Sequence, residues 1–458
     1  MMPDYAKSLP NTMNHFVHPF TQLAAVEVSG PNVIMSGQGA RVTDRDGREL
    51  LDGFAGLWCV NIGYGRSEVV EAARQQMSKL PYASSFFGSA NEPALQLAKE
   101  LVRLSPDSLQ HVFFTLGGSD AVDSALKIIR YFFNVTGRPE KNHVIALERG
   151  YHGVSSAGAG LTGLSSCHRF FDLPLPYQHH IPSHYRYRST YGGTDAEIIS
   201  GSVAALEAKV AGLGGSSKVA AFFCEPVQGS GGVIVPPEGW LAAMRDACAK
   251  LDILFVVDEV ITGFGRTGQL FACDWERIQP DLMTIAKGLT SGYSPMGAVL
   301  ISEEIYRALV DQVPSDLAFA HGFTYTGHPV SASVALACLE IYQREQLPEN
   351  SKTVGAYLLK GLEALREHPW IGDVRGKGLL AAVELVANRE TREPFDPGLG
   401  VSQLVRKKAY ENGLIVRAFA DNVIGLAPPL IVSEDDVDQM LDRLARAIHA
   451  AKTELDGA

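Results

Sequence analysis

Residues 253–268 read ILFVVDEVITGFGRTG. Five apolar residues in a row, 253–257, are too short for a buried helix and suit a strand covered on both faces. A carboxylate, Asp258, follows at once. Open α/β sheets place ligand-binding groups at the carboxyl ends of their strands, so Asp258 is a candidate site residue. It needs a cationic partner, and a protonated pyridine nitrogen is one that turns a ring into an electron sink. The competing reading is an Asp that caps its own loop or pairs with Arg266.

Twenty-nine residues after Asp258 stands Lys287, within DLMTIAKGLTSGYSPMGAVLIS (281–302). It lies between apolar runs and is followed by Gly288. A buried, unpaired lysine is costly unless its pKa falls or it is used covalently, and a desolvated amine is a good nucleophile toward an aldehyde. A lysine snorkelling to the surface is the ordinary alternative.

A third element, HVFFTLGGSDAVDSALKIIRYFF (111–133), predicts a strand ending at Thr115, a turn at Gly117 and Gly118, and a helix from near Ser119. Ala121, Val122, Ala125, Ile128, Ile129 and Phe132 recur at helical spacing. Free amides at a helix start favour a phosphate. A plain turn with Ser119 capping the helix is the alternative.

Outward from these elements, strands are expected at 111–115, 144–147, 219–224 and 253–257, alternating with amphipathic helices over residues 76–330. This is the pattern of a mostly parallel sheet covered by helices. Residues 1–75 read as an N-terminal arm with short strands, including a hairpin around Asp46-Gly47. Residues 331–458 read as a smaller α+β domain. It holds a long helical stretch, strands in GKGLLAAVELV and GLIVRAF, and a final helix over 434–452.

The 458 residues carry 46% hydrophobic and 20% charged side chains, with a net charge of −11. Ordinary globular composition without a basic face speaks against nucleic acid or an anionic membrane as a partner. Six dispersed cysteines form no metal-binding spacing, and no apolar run is long enough for a leader or a membrane span. A cytoplasmic protein without a metal is expected. Two glycine motifs, GAGLTG (158–163) and GFGRTG (263–268), lack the helix that a dinucleotide fingerprint must open. His179, His180 and His184 lack an acidic or cysteine partner, and Pro182 interrupts them, so a surface loop is expected there.

Together, DEVITGFGRTG and AKGLTSGYSPMGAV resemble the class III pyridoxal-phosphate aminotransferases over nearly the whole chain, from HPFT (18–21) to APPL (427–430). GLWCVNIGYGR, GYHG, EPVQGSGGVIVPP and HGFTYTGHP are similar to the ω-amino acid:pyruvate transaminase branch. The resemblance implies a fold-type I scaffold, pyridoxal 5'-phosphate as cofactor, and a homodimer with shared sites. It implies transfer of an amino group from an ω-amino acid or primary amine to pyruvate. A diamine or 4-aminobutyrate aminotransferase is the alternative, followed by a decarboxylase or aminomutase of the same family.

By that resemblance Lys287 would carry the cofactor and shuttle the proton, and Asp258 would bind the ring nitrogen. Gly118 and Ser119 would cradle the phosphate, with Thr324 reaching the phosphate of the neighbouring subunit. Tyr151 and Val260 would pack on the two ring faces, and Glu225 would sit near the ring oxygen or Asp258. Arg417 would bind a substrate carboxylate and swing aside for uncharged substrates, although a pairing with Asp421 is its alternative. Phe20, Leu57, Trp58 and, from the partner, Phe86 and Phe87 would line the pocket. Two departures stand out: GGSDA replaces the commoner SGSEA at the phosphate turn, and Ile261 stands where some branches carry Gln. The apolar residue weakens the case for a 4-aminobutyrate or ornithine enzyme.

Overall fold

Three short strands open the chain: β1 (Ile34–Gln38), β2 (Arg41–Asp44) and β3 (Glu49–Asp52). The expected hairpin joins β2 to β3. Asp44 makes its turn, accepting the amides of Asp46 at 3.0 Å and Arg48 at 2.9 Å, while Gly47 takes φ 80°. This computed structural model describes residues 15–457. The first 14 residues of the arm, and with them most of the segment read for a leader, lie outside the described residues.

The middle of the chain supplies β4 (Leu109–Thr115), β5 (His143–Leu147), β6 (Gln178–Ile181), β7 (Val219–Cys224), β8 (Leu254–Asp258), β9 (Leu282–Ile285) and β10 (Gly297–Ser302). They form one seven-stranded sheet in the order β4-β10-β9-β8-β7-β5-β6. Neighbours from β9 across to β6 are parallel, and β10 runs antiparallel to both of its neighbours. Alternation along each strand feeds two cores. Phe222, Phe255, Val257 and Met283 pack with Trp240 and Met244 of the helix Trp240–Lys250. Phe223, Val256 and Leu282 pack on Ala121, Ala125, Ile128 and Phe132 of the helix Gly118–Val135. Burial on both faces explains why these strands read as unbroken apolar runs.

Beyond the helices Pro329–Arg344 and Leu347–Ala364 come β11 (Ile371–Gly376), β12 (Ala381–Leu385), β13 (Leu414–Ile415), β14 (Arg417–Ala418) and β15 (Val423–Leu426). The segment GLIVRAF is not the one strand expected. It breaks at Val416, so that β13 joins β3 while β14 joins β15 in a second four-stranded sheet, β11-β12-β15-β14. An apolar run has the same pattern whichever partner it pairs with, so the change of sheet is invisible in it. The last helix, Glu434–Asp456, opens with a Ser433–Asp436 capping box.

The histidine segment also differs from expectation. His179 and His180 lie in β6, the edge strand of the large sheet, and His184 follows just beyond it, buried rather than in a surface loop. His179 faces His143 at 2.8 Å, and His184 is fully buried with its ring 4.4 Å from Trp240. Among the described residues no cluster of His, Cys, Asp and Glu could hold a metal, and no helix is long and apolar enough to cross a membrane.

Neither glycine motif holds a dinucleotide fingerprint. Gly158 and Gly160 lie inside the short helix Ser156–Leu161, where a Cβ on Gly160 would collide with Gln178. GFGRTG is a junction. Arg266, fully buried, donates to the carbonyls of Leu379 (3.0 Å) and Pro428 and to Asn61 Oδ1 (2.6 Å). It has no carboxylate partner among the described residues, and burial lowers its pKa to about 10. One side chain thus joins three segments distant in sequence. Arg266→Ala leaves three buried acceptors without this donor. We expect it to reduce stability by about 2–4 kcal/mol, read as a lower urea midpoint; an unchanged midpoint would remove the junction role.

Candidate active site

Parallel strands deliver their following residues to one edge of a sheet. Here β8 ends in Asp258, β9 leads through Ala286 to Lys287, and β7 leads to Glu225. After β5 comes the turn carrying Tyr151 and His152, and after β4 come Gly117 and Gly118. Ladder pairing sets their spacing: Asp258 lies opposite Thr284, and Thr115 opposite Gly297.

Lys287 begins a turn with φ 46°, in a region disfavoured for residues with a Cβ. Its neighbours enforce that geometry. A Cβ on Gly288 would lie 2.7 Å from Asn61 Nδ2 and 2.8 Å from Phe264 Cβ, and Tyr342 donates its hydroxyl to the Gly288 carbonyl at 2.7 Å. The Lys287 amine lies 5.0 Å from the centre of the Trp58 ring and makes no hydrogen bond or ion pair among the described residues. The side chain keeps some exposed surface, yet the protein around it is dense enough for burial to lower its pKa. Cys59, Asp258 and Glu225 pull against that shift.

Asp258 is 3% exposed. Its Oδ1 accepts the Val260 amide at 3.1 Å, and its Oδ2 lies 2.9 Å from His152 Nδ1. It does cap its own loop with one oxygen, but it does not pair with Arg266. His152 escaped sequence reading, although GYHG was in view: nothing in the sequence says that it faces a strand 106 residues away. Its Nε2 is buried without a partner. Glu225 accepts the amides of Tyr151 (2.8 Å) and Gly229 (2.9 Å), and burial, reinforced by Asp258, pushes its pKa up to about 7. Burial likewise raises the Tyr151 phenol to about 12.

The helix Gly118–Val135 starts bare. Its N-cap, Gly117, contributes no side chain, and the amides of Gly118 and Ser119 point out of the first turn without intrahelical acceptors. Ser119 does not cap the helix; its hydroxyl accepts the Val154 amide at 3.2 Å. Gly118 could bear no Cβ, which would sit 2.8 Å from Val260 Cγ1.

Asp52 shapes the loop that carries Leu57 and Trp58. It accepts the amides of Phe54 (3.0 Å) and Gly56 (2.7 Å) and the Tyr64 hydroxyl (2.7 Å). Trp58 stacks on Phe419 at 6.0 Å, and the Arg417 guanidinium lies 5.7 Å from the same Phe419 ring. Phe419, another residue that sequence reading missed, thus stands between the indole beside Lys287 and the arginine. Arg417 Nε is buried without a partner, and burial, then Arg406, lowers the arginine's pKa. Asp421 does not pair with it, being bound to Arg149 at 2.7 Å. Leu57 and Phe20 are exposed, the latter 6.4 Å from the Tyr151 ring.

Thr324, Phe86 and Phe87 form a separate group. Tyr82 donates to the Thr324 carbonyl at 2.9 Å, Phe86 packs near Gly322, and Phe87 is wholly exposed. Among the described residues, no hydrogen bond or ring contact takes these three to Lys287, Asp258 or Arg417.

Pyridoxal phosphate fits what is present. It needs an amine for its aldehyde, an anion for its ring nitrogen and amides for its phosphate. Lys287 is unpaired, Asp258 is anchored, and the start of the helix is free.

Glu259, next to Asp258, is a second carboxyl at this edge. It is fully buried against Thr262 and the Cys273 amide (2.8 Å), and burial raises its pKa to about 7. A carboxyl whose pKa is higher folded than unfolded favours folding while protonated and loses that contribution as pH rises through the folded value. We therefore expect the urea midpoint of the cofactor-free protein to fall as pH rises from about 4.5 to about 7 and to level off above that. Glu259→Gln should lessen that fall, and an equal fall in the variant would rule this carboxyl out.

The aminotransferase class-III family model matches residues 24–448. The putrescine–pyruvate aminotransferase of Pseudomonas aeruginosa is 42% identical over 446 residues, covering 95% of this chain and 96% of that one. A thermostable (S)-enantioselective omega-transaminase from Thermomicrobium roseum superposes with TM-score 0.93 at 42% identity, covering 95% and 96% of the two chains. The omega transaminase of Pseudomonas jessenii in complex with PMP gives 0.93 at 38% identity, covering 96% and 97%. Matches of this length and identity, on the same α/β scaffold, mean that the chain belongs to the class III aminotransferases, enzymes of fold type I that work with pyridoxal phosphate.

Proposed function

We propose that this enzyme moves the amino group of an ω-amino acid or another primary amine to pyruvate, giving alanine and an aldehyde or ketone in two half-reactions at one site. The observation that carries this reading is the Arg417 guanidinium, paired with no acid among the described residues and separated from Lys287 by the aromatic pair Trp58 and Phe419. Pyruvate carries its carboxylate beside the reacting carbon, whereas aryl amines and diamines carry none there. A movable arginine serves both: its planar fork pairs with a carboxylate and otherwise turns toward solvent. The putrescine–pyruvate relative supports pyruvate as acceptor and makes a diamine the second reading of the donor.

When bound, pyridoxal phosphate supplies the aldehyde that exchanges the amino group and a ring that spreads the charge left on the reacting carbon. The protein's residues do the rest. Asp258, held by His152 and the Val260 amide, would keep the ring nitrogen protonated. Gly118 and Ser119 would hold the phosphate through their amides, Tyr151 and Val260 would pack on the ring, and Glu225 would fix the Tyr151 backbone. Lys287 Nζ would take the proton from the amine-bearing carbon and return it to the carbon on the other side of the transferred nitrogen, work worth ~10²–10⁴-fold. Its lowered pKa leaves more of the amine unprotonated and able to accept.

A homodimer completes this reading. Phe87, Tyr325 and Leu317 are exposed around Thr324, an apolar surface that a second subunit would cover. His321 ties that segment to the helix Gly118–Val135 through Lys127 (3.0 Å) and Ser124 (2.9 Å). Thr324, Phe86 and Phe87 would then serve the neighbouring site. We infer three units, 1–75, 76–330 and 331–458, the first packing with the last through β3 and β13. Six free cysteines are in keeping with a reducing, cytoplasmic setting.

Loss of the charge-assisted contact to pyruvate is worth ~1.5–3 kcal/mol. Arg417→Ala should accordingly raise the KM for pyruvate about ten- to a hundredfold and barely change the half-reaction with an uncharged aryl amine. Equal losses in both half-reactions, at unchanged melting temperature, would contradict the recognition role.

A further inference from the structure

Arg417 lies on β14, a two-residue edge strand, and the turn 419–422 follows it into β15. Asp421 stands on that turn, four residues from Arg417, with its side chain 51% exposed. A tethered carboxylate so near an arginine competes with any carboxylate arriving from solution. Asp421 is occupied, however: its Oδ2 lies 2.7 Å from Arg149 Nη1. The charges that reach Arg417 come from Arg406, on the helix Val401–Glu411, and from Tyr151, with no acid among them.

Arg149 reaches the turn from a rigid base. It follows β5 at φ 64°, two residues before Tyr151, and its amide donates to the Gly163 carbonyl at 2.9 Å. Its guanidinium lies 5.1 Å from the Tyr185 ring, which also receives Arg375 at 4.7 Å and donates its hydroxyl to buried Glu384. The other end is lightly held. The turn is tied by the Phe419 amide to Val423 O (2.8 Å), by the Ser402 hydroxyl to Phe419 O (3.2 Å), and by the Ser402 amide to Asn422 Oδ1 (3.3 Å). Among the described residues, Asp421 contributes the one ion pair between this turn and the large-sheet side.

We propose that Arg149 is a specificity-positioning residue: by holding Asp421 it keeps that carboxylate off Arg417 and leaves the Arg417 guanidinium open to the carboxylate of the keto acid. This rests on the assignment of Arg417 to the acceptor's carboxylate. It makes selectivity for keto acids depend on a residue that touches neither substrate nor cofactor.

The test is a double-mutant cycle on the holoenzyme with pyruvate and an uncharged aryl amine. Arg149→Met keeps the aliphatic stem beside Tyr185 and removes the charge. Released Asp421 should then raise the KM for pyruvate about three- to fivefold, the scale of one partly exposed ion pair, with kcat and the aryl-amine half-reaction unchanged. Asp421→Asn should leave the pyruvate KM at its wild-type value, and the double variant should return to it, because the competitor is gone. Arg149→Lys, which keeps the charge, should stay near wild type. An unchanged KM in Arg149→Met overturns the proposal. So does an Arg149→Met defect that Asp421→Asn fails to rescue or that affects both half-reactions alike. If Arg417→Ala itself leaves pyruvate KM unchanged, the underlying assignment fails instead, and that result is read independently of the cycle.

Discussion

An amine taken out of water with no acid beside it is held at the expense of its charge, and this constraint organises the carboxyl edge of the large sheet. Lys287 sits there at φ 46°, clamped by Tyr342 at Gly288 and by Asn61 and Phe264 behind it. The nearest acids are already engaged: Asp258 by His152 and Val260, Glu225 by two amides. Neither is hydrogen-bonded to the lysine. The result is an amine left without an acid partner by the same contacts that orient its neighbours. Strain and unpaired polar groups concentrate where a ligand satisfies them.

The two arginines of the junctions show how differently a buried guanidinium is used. Arg266 gives both Nη groups to three acceptors and ties GFGRTG to Asn61, Leu379 and Pro428, its Nε alone being buried without a partner. Arg417, on a two-residue edge strand, makes no such junction: its Nε is also unpartnered and its guanidinium lies 5.7 Å from the Phe419 ring. Asp258 and Lys287, the residues proposed for the cofactor, therefore follow the central strands β8 and β9 of the large sheet, and Arg417, the residue proposed for the substrate, stands on an edge strand of another. Central strands suit the chemistry that every substrate would share, and an edge strand suits the proposed recognition of carboxylates and uncharged amines in turn.

How much of this could be read from sequence depended on the range of each interaction. Asp258, Lys287 and Gly118 were legible because each follows its own strand within a few residues, so local pattern and strand-end logic place them together. His152 was not, since its meaning is a contact with Asp258 across three strands. Nor was Phe419, which reads as one more apolar residue until Trp58 is found stacked on it. The split of GLIVRAF between two sheets and the burial of His184 against Trp240 are tertiary facts that alternation and polarity do not encode. Asp421 illustrates the converse: sequence proximity suggested Arg417 as its partner, and Arg149, 272 residues away, holds it.

Everything in this account depends on which lysine meets the cofactor's aldehyde. Borohydride reduction of the yellow holoenzyme makes that bond permanent, and peptide mass mapping then locates the added phosphopyridoxyl group. The account predicts one modified site per chain, at Lys287 in the peptide containing AKGLTSG. A label on another lysine, or a reduced enzyme whose peptides all keep their unmodified mass, would contradict it.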